Sequence, residues 1–148
     1  MAQTDLLLAE KEINARIARV FREHGLFVLQ EVRCPPCEID IVILDPASLQ
    51  LAGFEIKRRN WREVFRQACR TQLYCHFVCA VLPASMRGSV ELEEFNSRGI
   101  GVIFYEVEGQ SIRLDSAATP HLTGEMNRSL RCRLYQRFAD AYGEALHA

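Results

Sequence analysis

The sequence predicts an α/β fold in which helices flank a central mixed β-sheet. Two observations favour this fold class. Segments with helical hydrophobic periodicity alternate with short apolar runs of strand length, and three consecutive strand-like segments precede a helix and a further strand. The chain has 148 residues, of which 49% are hydrophobic and 25% are charged. This length and composition are typical of one globular domain, which we expect to cover 1–148.

The first half of the chain is predicted to form a helix and a three-strand meander. The helix is expected over 4–24, with an apolar stripe on one face and Gly25 as its stop signal. Proline-containing turns separate the strands, because proline cannot continue a ladder. In the second strand Ile39, Ile41 and Ile43 alternate with other residues, so we expect them to share one face. The predicted strands cover 26–33, 38–44 and 50–57.

The second half alternates helices with strands and ends in a helix. An amphipathic helix and a buried strand ended by Pro83 come first, and a short helix and a hairpin turning at Gly109 follow. The last segment is predicted to be helical because Leu130, Leu134 and Phe138 recur at fourfold spacing. The predicted helices cover 61–75, 88–97 and 125–146, and the predicted strands cover 77–82, 101–107 and 111–114.

Composition argues against several classes of protein. No apolar run approaches the roughly 18 residues that span a bilayer, and the N-terminal segment lacks the basic start and apolar stretch of a signal peptide. We therefore expect a cytoplasmic protein without membrane contact, in which the six cysteines are mostly free thiols. The CPPC segment at 34–37 is predicted to be a turn, since two prolines cannot continue a ladder. A zinc site there is disfavoured, because a closed site needs four ligands and no second pair of this spacing follows.

Three charged strand residues are the strongest functional signal in the sequence. Asp40 interrupts an apolar strand, where a carboxylate is costly to bury unless it is paired, hydrogen-bonded or bound to a metal. In the next predicted strand Glu55 and Lys57 share one face, because strand side chains alternate. Since the two strands are expected to be neighbours, the sequence predicts that Asp40, Glu55 and Lys57 lie close together.

Two carboxylates and an ammonium group suit metal-dependent phosphodiester hydrolysis. Mg²⁺ prefers one or two carboxylates, with water and phosphate oxygens completing its octahedron. We expect Mg²⁺, or Mn²⁺ in its place, to activate a water and offset charge at the scissile phosphate. Lys57 is then placed to orient that water or to stabilise the phosphate. The alternative is a purely structural ion pair, since perturbed charge networks are not always functional.

The segments EID at 38–40 and EIK at 55–57 resemble the signature of the PD-(D/E)xK nuclease superfamily, which includes restriction endonucleases and archaeal Holliday-junction resolvases. The family core is a helix, a three-strand meander, a helix and a strand, in the order predicted for the first six elements. The resemblance implies a restriction-endonuclease-like core with C-terminal additions. It also implies that Asp40 and Glu55 ligate metal and that Lys57 is the catalytic lysine. Isoleucine stands where the nominal motif has proline.

The resemblance implies two supporting residues. Many members carry a glutamate on the first helix that completes the metal site. Glu10 extends the inward stripe of that helix and is the preferred candidate, with Glu12 second and Asn14 third. Many members also carry a glutamine on the helix after the ExK motif, and Gln67 stands in the matching place. We expect Gln67 to bind a water beside the metal or a DNA phosphate.

Arginines near the motif are the expected contacts to nucleic acid. Those on the helix recur every four residues, and binding by such a stripe weakens steeply as salt rises. Trp61 is considered both as a base-stacking side chain and as a core residue. DNA is the expected partner because most of the resembling superfamily acts on it. The predicted contacts are Arg58, Arg59, Arg62, Arg66 and Arg70.

Two rival interpretations stay open. One is a nuclease fold that binds nucleic acid or a protein partner in a larger complex without cutting, which the net charge of −1 mildly favours. Intact Asp40, Glu55 and Lys57 argue against it. The other is a dimerisation or scaffold domain that uses the apolar stripe at 130–142. Many nucleases of the resembling type act as homodimers, but no interface is legible in the sequence.

Overall fold

The computed structural model describes residues 8–124, 126–143 and 145, and these residues form six strands and four α-helices. The strands are β1 (Phe27–Cys34), β2 (Cys37–Leu44), β3 (Leu51–Ile56), β4 (Phe77–Pro83), β5 (Gly101–Glu108) and β6 (Ser111–Ala118). The helices are α1 (Glu10–Glu23), α2 (Trp61–Thr71), α3 (Leu92–Ser97) and α4 (Arg128–Tyr142), with one short 3₁₀ turn at Ala84–Met86.

The six strands pair in the order of the sequence to form one mixed sheet. β1, β2 and β3 form an antiparallel meander. β3, β4 and β5 are parallel, joined by crossovers that contain α2 and α3, and β6 returns antiparallel to β5. The predicted α/β class, mixed sheet and element order are therefore confirmed.

The sheet separates two apolar clusters. On one face Ile13 and Ile17 of α1 pack with Ile41, Phe54 and neighbouring strand residues. On the other face the helices α2, α3 and α4 cover a larger cluster, because their apolar stripes point towards the sheet. Burial of both faces explains why the central strands read as nearly continuous apolar runs.

Several predicted boundaries are wrong. α1 begins at Glu10 rather than at residue 4, since Leu8 and Ala9 are not helical and the predicted residues 4–7 lie outside the described part of the chain. α2 ends at Thr71 rather than 75, and α3 and α4 are also shorter than predicted. β6 extends to Ala118 rather than 114, because ladder pairing with β5 continues through polar residues that show no apolar alternation.

The expected alternation along β2 fails at Asp40. Ile39 lies beside Gly53 on the α2 face, whereas Ile41 packs in the cluster of the α1 face. The regular β1–β2 register lacks a pair at this point, where Glu31 adopts a left-handed φ of 51°. The prediction that the three alternating isoleucines share a face is therefore wrong, because the irregularity turns Asp40 towards β3.

The six cysteines are free thiols, as predicted. Pro35 and Pro36 form the two-residue turn between β1 and β2, which confirms the predicted CPPC turn. Within the described residues, the structure has no helix whose length and apolarity would allow it to cross a bilayer.

Candidate active site

Asp40 lies where β2 separates from β3. Ladder pairing between the two strands stops at Ile41 and Phe54. Beyond that point Asp40 Oδ2 accepts a hydrogen bond of 2.7 Å from the backbone N–H of Ile56, so the carboxylate replaces a ladder partner. From α1, Asn14 Nδ2 donates to the backbone carbonyl of Asp40 at 2.9 Å. Contacts from two directions therefore fix the carboxylate at the end of β3.

Glu55 is almost fully buried, with 1% of its surface exposed, between β3 and α2. Thr71 Oγ1 donates a hydrogen bond of 2.5 Å to Glu55 Oε2. Burial and, after it, the negative charge of Asp40 raise the pKa of Glu55 to about 8, although the bond from Thr71 opposes the shift. A glutamate this deep is costly unless it holds a proton or faces a cation.

The Asp40 and Glu55 carboxyl groups lie within hydrogen-bonding reach of each other. Burial also raises the pKa of Asp40, opposed by the N–H of Ile56 and the charge of Lys57. Two adjacent carboxylates repel unless they share a proton or bind a cation between them. The pair therefore holds a proton that a divalent cation could displace, since such cations bind deprotonated carboxylates.

Lys57 completes the predicted triad. Its charge is close enough to lower the pKa of Asp40. Its Nζ lies 3.5 Å from Glu63 Oε1, and 24% of the side chain is exposed. The structure thus brings Asp40, Glu55 and Lys57 together as predicted, with the lysine at the open side of the buried pair.

Among the three candidates on the first helix, the geometry favours Glu10. Glu10 and Asp40 line the same cleft, and the charge of Glu10 raises the pKa of Asp40. Glu10 Oε1 also accepts a hydrogen bond of 3.2 Å from the backbone N–H of Arg58. Glu12 instead pairs with Arg16 at 3.1 Å and is half exposed. Asn14 is fully engaged, because its amide also accepts a bond of 2.8 Å from a glutamine of β1.

A cleft of about 230 Å³ opens onto Asp40, and Glu10, Glu31 and Glu38 also line it. Its acidic walls suit a hard cation better than a bare phosphate. Within residues 8–124 and 126–143, however, no three Asp, Glu, His or Cys side chains converge to form a metal-binding group. The structure therefore provides a pair of carboxylates with a third nearby, but not the assembled set of Glu10, Asp40 and Glu55.

Three residues of α2 at fourfold spacing, Glu63, Gln67 and Thr71, face this site, and we call them the site stripe. Glu63 contacts Lys57, and Thr71 contacts Glu55. Gln67 lies between them, one helical turn from each, and its buried Oε1 has no hydrogen-bond partner among the described residues. Gln67 was predicted from the sequence and the other two were not, although positions i−4 and i+4 from Gln67 predict their shared face.

The predicted nucleic-acid contacts divide into two groups. Arg58 is half-buried and structural, because its Nη1 donates to the backbone carbonyl of Leu8 at 2.9 Å. One of its guanidinium nitrogens is thus used within the protein, and the phosphate contact of Arg58 stays a prediction. The rest are exposed, and Arg62 lies 3.8 Å from Glu91. We call the exposed α2 residues Arg62, Arg66 and Arg70 the arginine stripe, and Arg59 precedes it.

Trp61 belongs to the core. It is only 5% exposed, and its ring centroid lies 5.8 Å from that of Phe95. Arg62 covers the ring at 4.5 Å. The base-stacking interpretation is therefore wrong, and the alternative that Trp61 anchors the start of α2 in the core is confirmed.

Comparisons with known proteins show the fold alone. The chain is similar to a solved structure, the SPO1766 protein of unknown function from Silicibacter pomeroyi, with a TM-score of 0.65 and 18% sequence identity. The match covers 96% of this chain and 92% of that one. No protein-family model matches the sequence, and no curated protein matches it either.

Proposed function

We propose that this chain is a metal-dependent nuclease with a restriction-endonuclease-like core, and that it hydrolyses phosphodiester bonds in DNA. The observation that carries the proposal is the buried Asp40–Glu55 pair beside Lys57, at the point where two strands separate. The order of a helix, a three-strand meander, a helix and a strand over 10–83 also supports it.

The donor set fits a small divalent cation. Asp40 and Glu55 offer carboxylate oxygens, and a cation between them would replace the proton they share. Bound Mg²⁺, or Mn²⁺ in its place, supplies positive charge at the scissile phosphate and lowers the pKa of water. Glu10 lies near enough to Asp40 to accept a hydrogen bond from a water at the edge of this site.

The other residues of the site have separable tasks. Lys57 donates to a phosphate oxygen or orients the attacking water. Gln67 accepts a hydrogen bond from that water through its unpartnered Oε1. Thr71 is a positioning residue, because its hydroxyl donates to Glu55 Oε2 and favours the ionised form that a cation requires. Arg59, Arg66 and Arg70 are exposed and placed to contact the phosphate backbone.

The test is cleavage of supercoiled plasmid and of single-stranded DNA with Mg²⁺ or Mn²⁺. The wild type is compared with Asp40→Asn and Lys57→Met, and Asp140→Asn on the exposed face of α4 is the matched control. Asn at position 40 can still accept the bond from Ile56, so the variant is expected to fold. We expect each site variant to lose cleavage by about 1,000-fold or more, in line with loss of a metal-ion catalyst.

A binding module with the same fold is the second candidate. It is favoured by the absence, among the described residues, of an assembled three-ligand metal group. Wild-type protein that binds DNA but does not cut duplex, single-stranded or branched DNA, nor RNA, with either metal would establish this alternative. Cleavage that persists in both Asp40→Asn and Lys57→Met would remove the proposed site from the reaction.

A further inference from the structure

A second cleft, of about 640 Å³, lies at the C-terminal end of α2, against the end of α3 and the segment 122–124. Clefts of roughly 300–1,000 Å³ are typical of sites for small ligands. Its walls are tied together by hydrogen bonds. Gln72 Nε2 donates to the backbone carbonyl of Arg98 at 2.6 Å, and the backbone N–H of Thr123 donates to the carbonyl of His76 at 2.8 Å. The cleft is therefore preformed.

The charge of this cleft is positive. Arg70 and Arg98 both line it, and both are exposed. Neither guanidinium has an ion-pair partner among the described residues, and no carboxylate from this part of the chain lines the cleft. Two unpaired guanidinium groups that line the same cleft suit an anion such as phosphate, which they can bind through several hydrogen bonds.

The same cleft is also apolar. Leu73 is 41% exposed and Leu122 is 61% exposed. They are two of the three large hydrophobic side chains that are exposed in the described part of the chain, and both line this cleft. Thr123 lines it too, and its buried Oγ1 has no hydrogen-bond partner among the described residues. The ligand therefore needs an anionic group, a flat apolar surface and a polar edge, which a nucleotide combines.

A smaller cleft connects this region to the proposed active site. It has a volume of about 380 Å³ and is lined by Glu63, Arg66, Cys69 and Arg70, so it shares its last two residues with the larger cleft. At its other end, Glu63 contacts Lys57. Arg70 follows Glu63 by seven positions, which corresponds to roughly 10 Å along α2. A strand could thus follow the arginine stripe between the two sites.

We propose that the larger cleft binds one unpaired nucleotide of a nucleic-acid strand, with its phosphate on Arg70 and Arg98 and its base against Leu73 and Leu122. The continuation of that strand to Lys57 rests on the proposed nuclease function. A paired base inside a duplex is covered on both faces by its neighbours, so only an unpaired base can enter. A free nucleotide has the same chemistry, and the experiment separates the two sources.

The experiment measures fluorescence anisotropy of a labelled single strand of about 15 nucleotides in EDTA, so that no cleavage occurs. The same sequence as a duplex and unlabelled dAMP as a competitor are run in parallel. Arg98→Ala is compared with Arg19→Ala on the exposed face of α1, and Leu122→Ser with the similarly exposed Leu49→Ser. The control pair thus matches the changes in charge and in apolar surface, and thermal unfolding verifies that all four variants are folded.

We expect Arg98→Ala and Leu122→Ser each to weaken single-strand binding by about five-fold or more, with duplex binding unchanged and both controls at the wild-type value. If dAMP displaces the strand, the proposed site is supported and its ligand is a free nucleotide. If dAMP does not displace the strand but both cleft variants show the five-fold loss, the proposed site is supported and its ligand is a nucleotide within the strand.

Single-strand binding that is unchanged in both cleft variants overturns the proposal, as does an equal loss of duplex binding. A change in oligomeric state without a change in nucleotide binding also overturns it, and would assign the cleft to a protein partner. The two proposals fail separately. If the wild type cuts DNA but the cleft variants bind single strands as tightly as it does, only the nucleotide site is ruled out. If the wild type does not cut DNA but the cleft variants lose single-strand binding, only the nuclease function is ruled out.

Discussion

The site stripe and the arginine stripe occupy neighbouring faces of the same helix, yet their surroundings differ. In the site stripe, Glu63 contacts Lys57, Thr71 contacts Glu55, and Gln67 has a buried oxygen between them. In the arginine stripe the side chains are exposed, and the partner of Arg62 lies 3.8 Å away on the surface. A rotation of about 100° around the helix axis separates the two sets of contacts.

The difference indicates two kinds of contribution to function. The site stripe acts through fixed distances to buried groups, so its substitutions should change catalysis more than binding. The arginine stripe acts through solvent-screened charge, so its substitutions should weaken binding most at low ionic strength. A third face of α2, which holds Trp61, Val64 and Ala68, is buried and should affect stability alone.

The largest expected effect concerns the buried face. Trp61→Ala should lower the free energy of unfolding by about 3–5 kcal/mol, because it leaves a cavity against Phe95. Trp61→Phe should restore most of that loss and leave nucleic-acid affinity unchanged. Denaturant unfolding and strand-binding titrations of the two variants check this prediction. Weaker binding by a fully folded Trp61→Phe variant would return this residue to the nucleic-acid interface.

The pH dependence of stability should identify the buried carboxylate that the site stripe contacts. In metal-free protein, Glu55 has a pKa of about 8, raised by burial from its ordinary 4.5. Between pH 4.5 and pH 8 the folded protein therefore keeps a proton on Glu55 that the unfolded chain has released. The contribution of this group to stability is fully present below pH 4.5 and is lost as the pH rises through 8. The free energy of unfolding should fall as the pH rises towards 8, by up to about 1.4 kcal/mol per pH unit.

The control for this slope is Glu55→Gln, which cannot titrate but preserves the shape of the side chain. Urea unfolding at several pH values in EDTA compares it with the wild type. A shallower slope between pH 5 and pH 8 in the variant is expected from the raised pKa of Glu55. Identical slopes in the two proteins would show that this carboxyl group is already ionised when folded.

Thr71→Val should lower cleavage by about 10–100-fold, because it removes the hydroxyl that positions Glu55 while preserving the shape of the side chain. Thr71→Ser keeps the hydroxyl and should retain most activity. Turnover and strand affinity are measured together, since the comparison predicts that affinity is unchanged. An equal loss in the serine variant would attribute the effect to packing rather than to the hydrogen bond.

Arg66→Ala should give the smallest change, a loss of about three- to ten-fold in DNA affinity at low salt. The magnitude of the slope of log affinity against log salt concentration should fall by about one, which corresponds to one lost phosphate contact. Arg19→Ala on α1 is again the matched control, since it removes the same charge from the opposite side of the sheet. An undiminished salt slope in Arg66→Ala would place the nucleic-acid path elsewhere.

The sequence predicted the triad because Glu55 and Lys57 alternate along one strand and the order of the strands places Asp40 beside them. It did not predict the irregularity that moves Ile39 to the other face. That displacement depends on pairing between strands, which no local pattern records. The burial of Arg58 was missed for the same reason, since its partner is a backbone carbonyl 50 positions away in the sequence.

Helix ends and pair geometry were also beyond the sequence. α1 starts after an Ala9 that makes no side-chain cap, so no capping residue marks the boundary. Thr71 was overlooked because a threonine near a helix end has many structural uses, and its role is evident only from the 2.5 Å bond to Glu55.

The proposed function depends above all on Asp40 and Glu55 binding a divalent cation together. The most direct test is a Mn²⁺ titration followed by electron paramagnetic resonance. The titration is done above pH 8, where Glu55 is ionised. We expect that wild-type protein and Lys57→Met bind Mn²⁺, and that Glu55→Gln and Asp40→Asn lose this binding. Mn²⁺ binding that is undiminished in folded Glu55→Gln and Asp40→Asn would contradict this expectation.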